Sequence, residues 1–273
     1  SLEEGSAPAP SSGELTVSAV SIEEHADRQP VSYVLPPGVS RSLDAQQGQS
    51  LQQNEQALSL RLKDLPAGEA KAVYRQGTYD LRRYRRLQLF AHAEELLQDP
   101  IGVQDGDFEL FLRLGSDYTH NYYEYALPLR LTPAGTYRSD LPADRRAVWP
   151  DANYIDLALE SLVELKRQRN ALLTRGGGGA SLYQRYTQQE TNDPTRRLTV
   201  LGSPSLSHIR TLMIGVRNAS GMTRSVEVWV NELRLGDYHE EAGWAGNAQL
   251  ALQLSSLGSV NLRGQYTSAG FGA

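Results

Sequence analysis

FELFLRL at Phe108–Leu114 and YEYALPLRL at Tyr123–Leu131, joined by GSDYTHNY at 115–122, form the stretch that decides the fold. Apolar residues occupy every second position on both sides of this connection, and a period of two places each set on one face of a β-strand. The Gly-Ser-Asp sequence suits a reversal of the chain. We therefore predict a β-hairpin with one buried face, with Phe111 on the opposite face and partly covered.

Further strand patterns and one helical pattern lie on both sides of this hairpin. The segment 208–217 is apolar on both faces, so it should be a central strand, whereas residues 155–173 have the 3–4 spacing of a helix. This order predicts a mainly β fold, an antiparallel jelly-roll-like β-sandwich over residues 57–236 with one helical excursion. The other predicted strands are Ala57–Leu65, Leu87–Ala93, 197–201 and Val226–Leu235.

Composition narrows the classes of function. The 273 residues allow one large domain or two ordinary ones. The absence of cysteine excludes disulfides and thiolate metal sites, and a net charge of −5 argues against a nucleic-acid binder. No apolar run approaches the ~20 residues of a membrane helix, although membrane β-strands show only alternation. The chain begins without Met or a visible signal peptide and stops in a Gly/Ala/Ser-rich run, so we expect an internal fragment of a longer protein.

The segments outside the sandwich are assigned from short patterns. Glu14–Glu24 aligns without gaps with Glu227–Asp237, and in both the apolar spacing skips one position, as a β-bulge would require. Residues 1–25 are therefore predicted to end with the last strand of a preceding copy of the domain. Residues 26–56, with Pro36, Pro37 and a Gln/Ser-rich run, are predicted to be an extended linker, and 237–246 a second linker.

Residues 247–273 alternate in the manner of an outer-membrane β-hairpin and are predicted to form the first strands of a transmembrane β-barrel. A soluble hairpin with one solvated face shows the same alternation, so that alternative stays open. The lipid-facing candidates are Leu250, Leu252, Leu254, Val260, Leu262 and Tyr266. The lumen-facing candidates are Asn247, Gln249, Gln253, Asn261, Arg263 and Gln265.

Several stretches, in order from about residue 30 to the end of the chain, resemble the SprA (Sov) family, the outer-membrane translocon of the type IX secretion system, named for its role in gliding motility. The stretches are Tyr33–Val39, Asn54–Leu60, Asp80–Leu87, Phe90–Glu94, Leu114–Tyr125, Val148–Pro150, Leu212–Asn218, Val228–Leu235 and Gly243–Ala248.

The resemblance implies a segment of a very large single-chain barrel that exports folded cargo across the outer membrane. It implies soluble β-sandwich insertions between barrel strands, located either outside the cell or in the periplasm. The implied partners are outer-membrane lipid, a lateral-gate outer-membrane barrel protein, a periplasmic plug protein and cargo with a C-terminal signal domain. The family pattern brings no residue-level site with it.

The acidic residues and the histidines show no pattern of a metal site or a catalytic site. Asp105, Asp107, Glu109 and Asp117 suit turn residues better than a calcium loop, whose regular ligand spacing is missing. The five histidines lack metal spacing, and no catalytic constellation is visible, so we predict no enzyme, cofactor or metal.

Two groups of residues leave alternatives open. Four tyrosines are predicted to be core and rim residues, or alternatively to form a sugar-stacking platform. They are Tyr118, Tyr122, Tyr123 and Tyr125. The Arg82–Arg86 cluster is predicted to lie on a solvated strand edge. The alternative is that it faces lipid headgroups or a partner. The alternative function is a soluble cell-surface module that binds carbohydrate or protein.

Overall fold

The structure, a computed structural model, describes residues 13–40, 43–44, 51–52, 56–96, 101–176, 180–231, 233–236, 250–252 and 258–262. The first strands are β1 (Glu14–Ser21), β2 (Leu43–Asp44), β3 (Leu51–Gln52), β4 (Gln56–Leu65), β5 (Ala70–Tyr79), β6 (Arg86–Leu89), β7 (Ala91–Glu95), β8 (Phe108–Gly115) and β9 (Tyr122–Pro128). The later strands are β10 (Ile155–Ala158), β11 (Tyr186–Gln189), β12 (Arg197–Leu201), β13 (Ile209–Asn218), β14 (Arg224–Val230), β15 (Leu233–Gly236), β16 (Leu250–Leu252) and β17 (Gly258–Leu262). The helices are α1 (Ile22–His25), α2 (Pro142–Val148) and α3 (Leu159–Thr174), with a 3-10 turn at Asp151–Asn153.

The described strands pair antiparallel in three main sheets, and β2 pairs with β3 in a small ribbon. The largest sheet has the order β11-β12-β9-β8-β13-β5-β17, and two four-stranded sheets have the orders β1-β4-β14-β7 and β10-β6-β15-β16. One apolar core takes residues from all three, including Leu60 of β4, Leu87 of β6 and Leu112 of β8. The fold class is therefore confirmed: a mainly β antiparallel sandwich with one helical excursion.

The central hairpin is confirmed, but the prediction of a single buried face is wrong. Strands β8 and β9 pair from Glu109 opposite Pro128 to Gly115 opposite Tyr122, and every residue of β8 is buried. Phe111 is fully buried because its ring packs across β13, where an added Cβ on Gly215 would lie 2.2 Å from the ring Cζ. Only glycine leaves room for the ring at that position.

Strand β13 is the central strand that its two-sided apolar pattern predicts. It pairs with β8 on one side and β5 on the other, and it is buried along its length except at Arg210. Because both faces are covered, this strand shows a nearly continuous apolar run rather than alternation.

Two adjacent segments of the chain, β6–β7 and β14–β15, each cross from one four-stranded sheet to the other, and they cross side by side. Strands β6 and β7 are separated by Phe90, and β14 and β15 by residues 231–232; the Asn231 N–H donates to the Phe90 carbonyl at 3.0 Å. The skipped position in the apolar spacing, predicted to be a β-bulge, is therefore the point where this ribbon turns between sheets.

The helical excursion begins later than predicted. Residues 155–158 form β10 and pair with β6, because Ile155 and Leu157 are buried in alternation with partly exposed neighbours. Helix α3 then buries Leu159, Leu162, Leu165 and Arg169. Val163, which the spacing placed on the apolar face, is 48% exposed.

The N-terminal segments belong to the sandwich itself. Strand β1, assigned from the sequence to the end of a preceding domain, pairs with β4 over eight residues and so forms the edge of this domain's own sheet. Part of the predicted linker 26–56 is also integral to the domain, since residues 30–36 are buried. The predicted linker 237–246 lies outside the described residues.

Candidate functional site at the buried strap

Residues 28–39, hereafter the strap, run across one side of the sandwich without forming a helix or a strand, and turn at residues 37–38. Val31, Tyr33 and Val34 are almost fully buried, although the strap is part of no sheet and makes only one isolated bridge, from Val31 to Gly135. Its apolar side chains pack in a cluster with Val20, Ala57, Val148, Trp149 and Trp229. The strap is therefore a core element that looks like a linker in sequence.

Side chains within residues 137–149 form hydrogen bonds with the backbone groups of the strap. The Trp149 Nε1–H donates to the Val34 carbonyl at 2.8 Å, and Arg145 Nε donates to the Leu35 carbonyl at 2.8 Å. A second Arg145 nitrogen contacts the carbonyls of Pro36 and Val39. Because buried backbone groups need partners, these contacts replace the ladder that a sheet would provide.

Arg28, at the start of the strap, bridges two buried carboxylates. Its guanidinium lies 2.6 Å from Glu94 of β7 and 2.7 Å from Glu227 of β14. The side chains of Glu94 and Glu227 are 1% and 5% exposed, so water solvates their negative charges very little. The contact between Arg28 and Glu94 Oε1 is an ion pair without a hydrogen bond, because that oxygen has no hydrogen-bond partner. The guanidinium also lies 5.0 Å from the ring centroid of Trp229.

Glu227 has further partners that hold it in place. The Ser59 hydroxyl of β4 donates to its Oε1 at 2.8 Å, and the Trp229 Nε1–H donates to the same oxygen at 3.0 Å. Charge-assisted hydrogen bonds of this kind are stronger than neutral ones. Glu227 thus joins β4, β14 and the strap at one carboxylate.

His92 of β7 completes the cluster. Its ring stacks on Trp229 at 3.9 Å, its Nδ1 lies 2.8 Å from the Val148 carbonyl, and its Nε2 lies 3.1 Å from Glu94. A carbonyl can only accept, so Nδ1 carries a proton and donates it to Val148, which leaves Nε2 to face the Glu94 carboxylate.

The cluster brings together stretches that lie far apart in the sequence. Four of the stretches that carry the family resemblance meet here: Tyr33–Val39, Phe90–Glu94, Val148–Pro150 and Val228–Leu235. Sequence reasoning did not predict this site. The available signal was the presence of His92, Glu94 and Glu227 at positions inside otherwise apolar strands.

A cavity of about 760 Å³ opens beside the cluster. Glu94 and Thr132 lie on its wall, and Asp105, Arg130 and Arg146 carry charges of both signs around it. Among the residues that the structure describes, no group of three or more His, Asp or Glu side chains could hold a metal ion. The arrangement around Arg28 therefore offers charge pairing and packing, and its chemistry is that of a structural lock.

A second buried ion-pair cluster lies on β8, β9 and β13. Burial alone would raise the pKa of Glu124, but Arg113 at 2.6 Å, Arg185 at 2.6 Å and Arg217 at 3.3 Å outweigh it and lower that pKa to about 2. Glu109 in turn bridges Arg217 and Arg197. The alternating pattern of the hairpin predicts that one face is solvent-exposed. Charged residues can be buried on that face because these ion pairs compensate their charges.

Asp117, the acidic residue of the turn between β8 and β9, accepts hydrogen bonds from other residues of the same turn. Burial alone would raise the pKa of Asp117, but hydrogen bonds from the His120 and Thr119 backbone N–H groups and from Asn121 lower it to about 2. Asp105 and Asp107 accept backbone N–H bonds from Leu131 and Gln104. These three are turn residues, as the sequence predicts. The prediction is wrong for Glu109, which lies within β8 and pairs with Arg197 and Arg217.

The tyrosines of the hairpin are core residues. Tyr122, Tyr123 and Tyr125 are at most 3% exposed, and the Tyr123 and Tyr125 hydroxyls donate to the Pro204 carbonyl and Glu190. A sugar-stacking platform built on these rings is therefore ruled out by their burial.

The arginine cluster 82–86 lies at a solvated position. The Arg82 side chain is 67% exposed and bound to Asp80, while Arg86 pairs with Asp156 across the β6–β10 ladder. The cluster is therefore solvated as predicted, but the strand-edge assignment is wrong, because residues 82–85 lie in the turn before β6, and β6 is paired with both β10 and β15.

The membrane candidates fall partly on described strands. Leu250 and Leu252 lie on β16, and Val260, Asn261 and Leu262 lie on β17. The other candidates, Leu254, Tyr266, Asn247, Gln249, Gln253, Arg263 and Gln265, lie outside the described residues.

Strands β16 and β17 have different neighbours from those predicted. Strand β16 pairs with β15, placing Leu252 opposite Leu233, and β17 pairs with β5, placing Leu262 opposite Ala70. The expectation that the two strands pair with each other as one hairpin is therefore wrong for the described residues. Alternation identified both strands but carried no information on their partners. Which of these residues face lipid stays a prediction.

Comparison with known protein families gives one match. The family model SprA_N, described as motility related/secretion protein, matches residues 4–273. None of the curated proteins matches the chain. Among the described residues, no helix has the length and apolar character needed to span a membrane.

Replacing Arg28 tests the lock. Arg28→Ala leaves Glu94 and Glu227 buried without their shared cation, so we expect the free energy of unfolding to fall by about 3–5 kcal/mol in urea titrations. Arg82→Ala, which removes an exposed ion pair, should cause no measurable change. Equal stability of the two variants would contradict the assigned role of Arg28.

Acid titration tests the second cluster. The pKa of Glu124 is lower in the folded state than its ordinary value of 4.5, so its stabilisation is complete above that value and is lost as the pH falls towards about 2. We expect Glu124→Gln to be less stable than the parent chain at neutral pH, yet to lose less stability between about pH 5 and pH 2. Asp117 keeps its own contribution in this variant. Parallel stability curves for the two chains across this range would refute the assignment.

Proposed function

The chain belongs to the SprA_N family of motility-related and secretion proteins, and from this premise we propose that it is a β-sandwich segment of a protein-export channel in the outer membrane. The proposed channel belongs to the type IX secretion system and exports folded cargo, and gliding motility depends on it. The observation that carries the proposal is the family match, which extends over nearly the whole chain.

The proposed surroundings follow from the same family resemblance. They include outer-membrane lipid, a lateral-gate outer-membrane barrel protein, a periplasmic plug protein and cargo with a C-terminal signal domain. The sandwich would lie outside the cell or in the periplasm, as a soluble domain inserted between barrel strands. We assign the chain no enzymatic role.

The buried clusters support a mechanical role for the sandwich in such a channel. A domain beside moving cargo must keep its shape, and local opening is slowest where buried contacts are dense. Arg28 joins the strap to two strands, and Glu124 binds three arginines from different parts of the chain. We therefore propose that the sandwich serves as a rigid fixed part of the channel.

The pairing of β16 and β17 favours the alternative function, a soluble cell-surface module. Both strands extend sheets of the sandwich, so the described part of the C-terminal segment is continuous with the soluble domain. In that case the parent protein would bind carbohydrate or protein through the sandwich, and export would not depend on it.

Depletion of the parent protein in its own bacterium separates these functions. The export channel predicts that folded cargo accumulates in the periplasm and that gliding stops. Cargo in the medium and cell movement on agar are measured, with re-expression of the parent protein as the control. Normal secretion of cargo with impaired attachment would support the soluble module and exclude the channel.

Lipid contact of the C-terminal strands can be measured separately by single-cysteine labelling of a parent protein from which any cysteines outside these 273 residues have been removed, since these residues contain none. A fluorophore on Leu262→Cys or Leu252→Cys in the membrane-reconstituted parent protein is expected to be quenched by brominated lipid. The neighbouring Asn261→Cys and Gln253→Cys should be quenched weakly, because alternate residues of a barrel strand face the lumen. Equal quenching within each neighbouring pair would reject the lipid-facing assignment.

A further inference from the structure

We propose that the cavity beside the Arg28 cluster is a binding site for a short peptide that ends in arginine or lysine with its terminal carboxylate free. The basic side chain of the peptide would bind the acidic inner wall of the cavity, and the carboxylate would bind the arginines at its rim. The proposal concerns the cavity alone, so it holds whether the parent protein is an export channel or a soluble module.

The cavity has the size and the walls of a ligand pocket. Its volume of about 760 Å³ falls within the ~300–1,000 Å³ that is typical of small-molecule sites. Val103 and Leu131 give it an apolar lining together with three prolines, which are Pro30 of the strap, Pro133 and Pro150. The methylene groups of a long basic side chain can pack against such a surface while the charge at its end reaches a polar group.

The inner wall carries a carboxylate whose hydrogen bonding is incomplete. Glu94 is 1% exposed, and its Oε1 accepts no hydrogen bond from the described residues, although it lies 2.6 Å from the Arg28 guanidinium. That guanidinium is shared with Glu227. Buried polar groups in folded proteins nearly always have a hydrogen-bond partner in the chain, in water or in a ligand. A basic group that enters the cavity would supply the missing donor.

Glu95 adds a second negative charge to the same cavity. Its side chain is half-buried, and within the described part of the chain it has neither an ion pair nor a side-chain hydrogen bond. Two carboxylates in a partly dry site favour a cationic ligand, because water screens the attraction less. A metal ion fits less well, since the acidic side chains described here do not form a ligand group.

The rim of the cavity carries positive charge. Arg146 of α2 is exposed, and it has no ion pair with any residue that the structure describes. Arg130, whose side chain is 66% exposed, lies 3.9 Å from Asp105, so it is held only loosely. The planar fork of an arginine suits a carboxylate, which it can bind through two parallel hydrogen bonds. The cavity therefore matches a ligand with a cation at its inner end and a carboxylate at its outer end.

A C-terminal basic residue of a peptide carries these two charges and no others. Free arginine or lysine fits less well, because its α-ammonium group would lie beside the same arginines as its carboxylate. An internal basic residue of a polypeptide lacks the carboxylate and would leave the rim unused.

The test measures binding of the peptide acetyl-Ala-Ala-Arg to the chain by isothermal titration calorimetry. Its C-terminal amide lacks the anion, and a version with citrulline in place of arginine lacks the cation. We expect each of these two, and free arginine, to bind about tenfold more weakly than the first peptide or worse. Binding should also slow hydrogen exchange of the Thr132 and Gly135 amides, which donate to Ala93 and Pro30 beside the cavity.

Two substitutions assign the two ends of the ligand. Arg146→Ala should weaken binding of the peptide with a free carboxylate about tenfold and leave binding of its amide unchanged. Glu95→Gln should weaken binding of both arginine peptides and leave binding of the citrulline peptide unchanged. Arg167→Ala, which removes an exposed arginine on α3, should alter none of them. Thermal unfolding confirms that each variant is folded.

Several outcomes would overturn the proposal. A cavity that holds only water would show no binding of acetyl-Ala-Ala-Arg at millimolar concentration. Equal binding of the arginine and citrulline peptides would exclude a site for a cation. Unchanged binding to both Arg146→Ala and Glu95→Gln would place the peptide elsewhere on the chain. Tighter binding of free arginine than of the peptide would reject a peptide as the ligand.

Discussion

One guanidinium shared between two buried carboxylates is the interaction on which this side of the molecule depends. Glu94 and Glu227 lie on adjacent strands, β7 and β14, at positions where burial makes an uncompensated charge costly. Arg28 contacts both carboxylates, and it can do so only when the strap lies across the sheet. The strap is therefore held by electrostatics at its start and by Trp149 and Arg145 along its length.

This constraint gives the family resemblance a physical meaning. The stretches that resemble the secretion family look unrelated in sequence, because each is short and they are separated by tens of residues. In the fold, four of them meet in a single cluster, to which they contribute Glu94 and the aromatic rings, while Arg28 and Glu227 lie just outside them.

Local patterns predicted the strands well because alternation and burial are local properties. Residues 108–131 and 208–217 specify their own conformation through their own periodicity. The strap could not be predicted in this way, because an extended Pro-containing segment has no period and its partners are about a hundred residues away. The burial of Arg113 and Glu109 could not be predicted for a similar reason, since their partners Glu124 and Arg217 come beside them only in the fold. The neighbours of β16 and β17 were missed because alternation identifies a strand but not its partner.

The account depends most on the claim that the strap is locked to the sandwich, and native-state amide hydrogen exchange of the chain tests it directly. If the lock exists, the amides of Tyr33 and Leu35, which donate to His25 and Ser139, exchange only through global unfolding, as slowly as those of β13. Rapid exchange of these amides, while β13 stays protected, would show that the strap detaches freely and would contradict the account.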